Sequence, residues 1–176
     1  MNLENIKKQY SPKNAKIEWH DNVAVFEVQS ADILEVANDL CNKSFSLKLI
    51  TATDERESQG CFKIWYIFGN SDQNVFMIPF IQLKNIEEFP SLTSIIHEAW
   101  NYERKIQTFF GLVPVGNPDS RPIILHENWP TSVFPLRKDF SWKKRPAFAH
   151  EAYRFQKVKG EGIYEIPVGP IHAGII

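Results

Sequence analysis

Cysteine is scarce in this chain. Its two cysteines, Cys41 and Cys61, stand alone among 176 residues and form neither a C-x-x-C redox motif nor a thiolate metal site. Cys41 falls on the apolar side of an expected helix and Cys61 opens an expected strand. Both are read as buried thiols of a reducing compartment rather than as a disulfide. Long apolar runs are missing too: nothing approaches the roughly 20 residues that cross a bilayer, and MNLENIKKQYSPKN at the start lacks the apolar centre of a secretory leader. Work at a membrane would therefore depend on partner subunits, without direct insertion of this chain. Neither sign of charge dominates, with 20 Lys and Arg against 21 Asp and Glu. That balance argues against a general affinity for nucleic acid or anionic lipid, and any electropositive surface must be local.

Catalytic signatures are absent as well. There is no G-x-S-x-G, no glycine-rich phosphate loop and no H-E-x-x-H. The histidines, His20, His97, His126, His150 and His172, stand beside no other ligand at a recognised metal spacing. Cys41 has no electropositive, accessible setting that would make it a nucleophile. From its own residues the chain is expected to carry no catalytic residue, cofactor or metal.

What is present suits one globular domain, with 43% hydrophobic and 23% charged residues. Residues 4–10 could form a short helix before Pro12. Val23–Val28 is β-branched and aromatic, which predicts a strand. Ser30 is placed to cap ADILEVANDLCNK, where Ile33, Leu34, Ala37, Leu40 and Cys41 mark an amphipathic helix. Phe45, Leu47 and Leu49 alternate with polar residues as in a half-buried strand. A polar DERESQG turn leads into CFKIWYIF, and GNSDQN into VFMIPFIQL, a hairpin apolar on both faces. Pro79 lacks a ladder donor and points to an edge or a bulge. Pro90 introduces SLTSIIHEAWNYERKIQTFF, read as one long helix stopped by Gly111. The order β-α-β-β-β-α predicts an α+β fold: a two-layer sandwich with an antiparallel or mixed sheet of about four strands and helices on one side.

After Gly111 the text changes. Six of the chain's 11 prolines, from Pro114 to Pro146, fall there without any long periodic segment. Proline restricts the unfolded chain, so such a stretch can be ordered without regular structure if it has a surface to follow. The expected division is a core over 1–111, an extended docking arm over 112–150 and a linker from 151. Arg137, Lys138, Lys143, Lys144 and Arg145, interleaved with Phe140 and Trp142, could stack on and neutralise single-stranded RNA. Interface use fits better, because Trp and Arg anchor protein contacts. Glu103 and Arg104 either belong to a solvated helix face or reach back to fix the arm; their spacing leaves both readings open.

Two stretches carry more. In NYERKIQTFFGLVPVGNPDSRPIIL stand Glu103, Arg104, Phe110 and Gly111, followed by Pro118, Asp119 and Arg121. In HENWPTSVFPLRKDF stand Glu127 and Trp129, followed by Pro135, Leu136, Arg137, Lys138 and Asp139. Together they resemble the signature of the C-subunit family of NADH:quinone oxidoreductase, respiratory complex I: E-R-E, an acid three residues on, F-G, H-P-D-x-R, then E-D-W and P-L-R-K-D. The chain departs from that pattern at Lys105, Thr108 and Asn117, where the family usually has Glu, Asp and His. A third stretch, YRFQKVKGEGIYEIPVGPIHAGII, is similar to the opening of the large-subunit domain of group-four nickel–iron hydrogenases, the formate-hydrogenlyase and hydrogenase-four type, in which the two modules are fused.

The resemblance implies a non-catalytic structural and assembly module of a membrane-associated hydrogenase, cut just after the junction. Residues 151–176 would hold the linker and the start of a truncated large-subunit domain. Partners would be that catalytic domain and a small iron–sulfur subunit, with the nickel–iron site and the iron–sulfur clusters elsewhere in the complex. The place would be cytoplasmic, peripheral on the inner face of the cell membrane. His172 would lie on the large-subunit loop near a quinone pocket. The alternative is the C-subunit of a respiratory NADH dehydrogenase; a free-standing RNA or protein binder is a third reading.

Overall fold

The computed structural model describes residues 17–125, 128–143, 146–147 and 158–164. A five-stranded sheet forms the body, in the order β1-β2-β5-β4-β3. Its strands are β1 (Ile17–His20), β2 (Val23–Glu27), β3 (Ser46–Glu55), β4 (Cys61–Asn70) and β5 (Val75–Leu83). The sheet is mixed: β2 runs parallel to β5 and the remaining pairs are antiparallel. This is the expected α+β class.

Register explains the core. Ala24 pairs with Met77, Met77 with Phe68, Ile64 with both Ile81 and Ala52, and Tyr66 with Ile50, so these side chains share one face of the sheet. Onto that face pack α1 (Ile33–Asn42), through Ile33, Ala37 and Leu40, and α3 (Ala99–Phe110), through Ala99, Ile106 and Phe110. Each large apolar side chain buried this way contributes on the order of 1.5–3 kcal/mol. A single-turn helix α2 (Arg56–Gln59) joins β3 to β4 and ends at Gly60 with φ +71°.

Several expectations change. Pro79 lies in β5, at the centre of the sheet, rather than at an edge. It sits opposite Phe26 in the parallel pair, while the pairing of β5 with β4 lapses between Trp65–Phe80 and Phe68–Met77. The missing donor is absorbed by that interruption. Ser30 does not cap α1; it belongs to a 3-10 turn (Ser30–Asp32), and no side chain caps the helix start. The strand expected around Phe45 runs on as far as Glu55 but changes phase: the register shifts between Leu47 and Leu49, Leu49 is exposed, and the buried positions become Ile50, Ala52 and Asp54. The helix expected from residue 91 begins only at Ala99; Leu92 to Glu98 forms turns, with Ile95 and Ile96 both bonded to the Leu92 carbonyl. His97 is exposed in those turns. The short helix expected over 4–10 lies outside the described residues.

Beyond Gly111 the chain returns to the body. Two short strands, β6 (Glu88–Pro90) and β7 (Val113–Val115), pair in parallel, burying Phe89 and Pro114. The described part of 112–143 then runs across α3 and the end of β3 as an irregular strap.

Candidate functional site

The site grows from one turn of α3. Glu103 is fully buried. Its Oε1 accepts the Leu92 backbone N–H at 2.7 Å, and its Oε2 accepts the Ser91 hydroxyl at 2.7 Å and the Asn117 amide at 2.8 Å. Burial pushes its pKa up, against the lowering effect of those three donors. The same contacts explain the late helix start. Twelve residues of continuous helix would set Ser91 about 18 Å from Glu103, so a 2.7 Å bond requires the preceding segment to fold back. Asn117, which stands where the resemblance has His, also donates to the Trp100 carbonyl at 3.4 Å.

Arg104 faces the strap directly. Its guanidinium donates to the carbonyls of Arg121 at 2.9 Å and Pro122 at 3.3 Å, and pairs with Asp119 at 3.3 Å. Asp119 also takes a two-pronged contact from Arg121, which holds its carboxyl well below the usual carboxylate range. Thr108, at a second departure from the resembled pattern, accepts the Ile123 N–H at 3.1 Å and donates to the Arg104 carbonyl. Of the two readings left open for Glu103 and Arg104, the geometry selects the second: both fix the segment after Gly111.

A second clasp holds the far end of the strap. Asp54, 5% exposed at the end of β3, binds Arg56 through two bonds of 2.9 and 2.7 Å and accepts the Lys138 N–H at 2.9 Å. The Arg56 bond above all lowers the Asp54 pKa. Arg56 reaches on to Asp139 at 3.2 Å. Arg137 donates to the Phe110 carbonyl at the end of α3 and pairs with Glu87 at 2.7 Å. The guanidinium groups of Arg56 and Arg137 lie 4.6 and 5.2 Å from the centre of the Phe62 ring, close enough for cation–π attraction. The Leu136 N–H donates to the Phe109 carbonyl, and the Phe134 ring closes over Gly111.

The sequence-predicted site residues thus divide between two clasps. Glu103, Arg104, Asp119 and Arg121 join the first, and Pro118 borders a cavity of about 330 Å³ beside it, with Thr93, His97 and Trp100. Gly111, Arg137, Lys138 and Asp139 join the second, with Pro135 half-buried between them. Trp129 bonds the Val133 carbonyl at 2.7 Å, within the strap. Glu127 and His172 lie outside the described residues, as do Lys144 and Arg145 of the basic cluster. The expectation that this stretch lies along another polypeptide is corrected for its described inner side, which lies on its own domain. Part-buried main-chain and charge contacts hold it there. Its outer side stays open: Trp142 is 80% and Leu136 49% exposed.

Sequence reasoning misses Asp54, Arg56 and Ser91. Asp54 reads as part of a polar turn, yet it continues the buried phase of Ile50 and Ala52, and that phase is the available signal. Ser91 offers none, because its partner Glu103 is set by folding back. Among the described residues no group of three or more His, Cys, Asp or Glu is arranged to hold a metal. Nor, among them, is any helix long and apolar enough to cross a membrane.

Formate hydrogenlyase subunit 5 of Escherichia coli (strain K12) is 30% identical over 132 residues, which are 72% of this chain and 23% of that protein. Hydrogenase-4 component G of the same organism is 31% identical over 131 residues, 72% of this chain and 24% of that protein. The chain therefore spans about a quarter of the length of either relative. The NADH-quinone oxidoreductase C-subunit of Ruegeria pomeroyi is 28% identical over 116 residues, 66% of this chain and 54% of that protein. A chain in the structure of the membrane-bound sulfane sulfur reductase, an archaeal respiratory membrane complex, shares the fold. Its TM-score is 0.71 at 20% identity, covering 87% of this chain and 98% of that one. Residues 26–146, both clasps included, match the family described as respiratory-chain NADH dehydrogenase, 30 Kd subunit, and the chain belongs to that family.

Proposed function

We propose that this chain is a non-catalytic structural and assembly module of a membrane-associated nickel–iron hydrogenase of the formate-hydrogenlyase type. It docks the large catalytic subunit to neighbouring electron-transfer subunits, a small iron–sulfur subunit among them. The observation that carries this reading is how the signature residues are used. Arg104, Asp119, Arg137 and the Lys138 amide bind the domain's own strap, so the signature serves shape rather than chemistry. What the strap then offers outward is a fixed, irregular surface bearing Leu136 and Trp142, and tryptophan above all is a residue type that anchors interfaces. The 30 and 31% identity to the two hydrogenase components supports the hydrogenase assignment. The nickel–iron site and the iron–sulfur clusters belong to partners, and the module is held through them on the cytoplasmic face of the membrane.

The second reading, the C-subunit of a respiratory NADH:quinone oxidoreductase, is supported by the 28% identity to such a protein. One experiment separates them. An affinity tag on the native protein, followed by mild detergent extraction and mass spectrometry with metal analysis, should recover nickel and an iron–sulfur subunit. Recovery of a flavin-containing NADH dehydrogenase without nickel would instead establish the second reading. Recovery of the tagged protein with no oxidoreductase subunit at all would overturn both.

A further inference from the structure

The cavity of about 330 Å³ beside the first clasp lies between the turns before α3 and the loop after β7, lined by Thr93, Ser94, His97, Trp100, Gly116 and Pro118. Its size is at the small end for ligand sites, room for one or two side chains rather than a large cofactor. The clasp builds its walls. The Arg104 guanidinium lies 5.0 Å from the centre of the Trp100 ring, Asn117 donates to the Trp100 carbonyl, and the Thr93 hydroxyl donates to the Gly116 carbonyl at 3.3 Å. The His97 and Trp100 rings stand 6.1 Å apart and tilted by 42°, which makes them a wedge-shaped wall.

Three features of the lining select an occupant. No Asp, Glu, Lys or Arg side chain lines the cavity, so nothing there offsets the cost of stripping water from an ion. A cation is disfavoured further, because the Arg104 charge already lies over the Trp100 ring. The third feature is a donor without a partner. The indole N–H of Trp65 donates to Thr53 at 3.0 Å and that of Trp129 to Val133 at 2.7 Å. Among the described residues no acceptor meets the indole N–H of Trp100, and it is not shut away from solvent. The occupant is therefore uncharged, packs on aromatic rings and brings an acceptor. Proline-rich segments fit all three conditions. They are extended before binding, display their carbonyls without internal hydrogen bonds, and lose little entropy when they dock on aromatic walls.

We propose that this cavity binds a proline-bearing extended segment of a neighbouring subunit, with a proline ring packed against His97 and Trp100 and a backbone carbonyl accepting the Trp100 indole N–H. That the segment comes from a neighbouring subunit rests on the assembly reading. The recognition chemistry does not, so a peptide titration can fail while that reading stands.

The test is an NMR titration of the purified chain with a polyproline peptide, followed at the indole N–H signals. Expected is a saturable movement of the Trp100 signal, assigned by its loss in Trp100→Phe, while the bonded indoles of Trp65 and Trp129 stay still. Binding should weaken about tenfold in Trp100→Phe, which keeps an aromatic ring but removes the donor. It should weaken also in His97→Ala, a variant at an exposed position that leaves the fold intact. A Trp100 signal that does not move at millimolar peptide would overturn the proposal. So would equal movement with a Gly-Ser peptide of the same length, or an unchanged affinity in His97→Ala. Movement of the Trp100 signal on dilution without peptide would assign the cavity to a second copy of the chain and overturn it as well.

Discussion

Glu103 is a single residue on which three segments converge: the turn at 91–93, the helix α3 and the loop at Asn117. Replacing it with Ala leaves the Leu92 amide unmet in the interior and takes one of their bonds from the Ser91 hydroxyl and the Asn117 amide. We expect a loss of about 3 kcal/mol, measured by urea unfolding. Titration adds a sign. Asp54 has a depressed pKa, so its stabilisation is complete above its unfolded value of 3.8 and is lost as pH falls below that. Glu103 has a raised pKa, so its contribution is largest at low pH and declines as pH rises from 4.5 through the higher folded value. Asp54→Asn should therefore flatten the acid limb of a stability–pH curve. Glu103→Gln should remove a decline that begins above pH 4.5 in the native protein. Curves that keep both features in both variants would contradict these assignments.

At the level of elements, the legible parts are those with a period. The buried stripe Ile33, Ala37 and Leu40 is readable because each side chain meets a continuous surface at fixed spacing, and β4 and β5 are readable as apolar runs on both faces, β4 being buried along most of its length. The start of α3 is not, since Leu92, Ile95 and Ile96 keep a helical phase while Glu103 captures the Leu92 amide. Three-residue strands such as β6 and β7 carry no period at all. Pro79 reads as either an edge residue or an interruption of the ladder, and sequence cannot show that it is the pairing on one side of β5 that lapses there. In the site, Glu103 and Arg104 are identifiable, whereas their partners depend on how the strap returns. Gly111 does show its role: it ends α3 at φ +70°, and a Cβ there would run into the Phe134 ring. Gly111→Ala combines a left-handed alanine with that overlap and should cost about 2–3 kcal/mol in thermal or urea unfolding. Trimming the ring with Phe134→Ala in the same chain should recover the overlap but not the backbone strain.

For the molecule as a whole, the sheet supplies the body and the two clasps turn an aperiodic, proline-rich sequence into part of the same domain. The outer surface of the strap is a separate matter. Leu136→Ser and Trp142→Ser together should leave unfolding within about 0.5 kcal/mol of the native chain, as exposed positions do. The same pair should reduce recovery of partner subunits on a tagged column. Equal recovery would remove the docking role from this surface. The most direct measurement is amide hydrogen exchange of the purified chain, followed at Ile123, Leu136 and Lys138, whose N–H groups donate to Thr108, Phe109 and Asp54. Protection at these three amides approaching that of β4, and lost around Ile123 in Arg104→Met, is the expected result. Exchange at the rate of an unfolded peptide at all three, with β4 still protected, would mean that the strap is not held by its own domain.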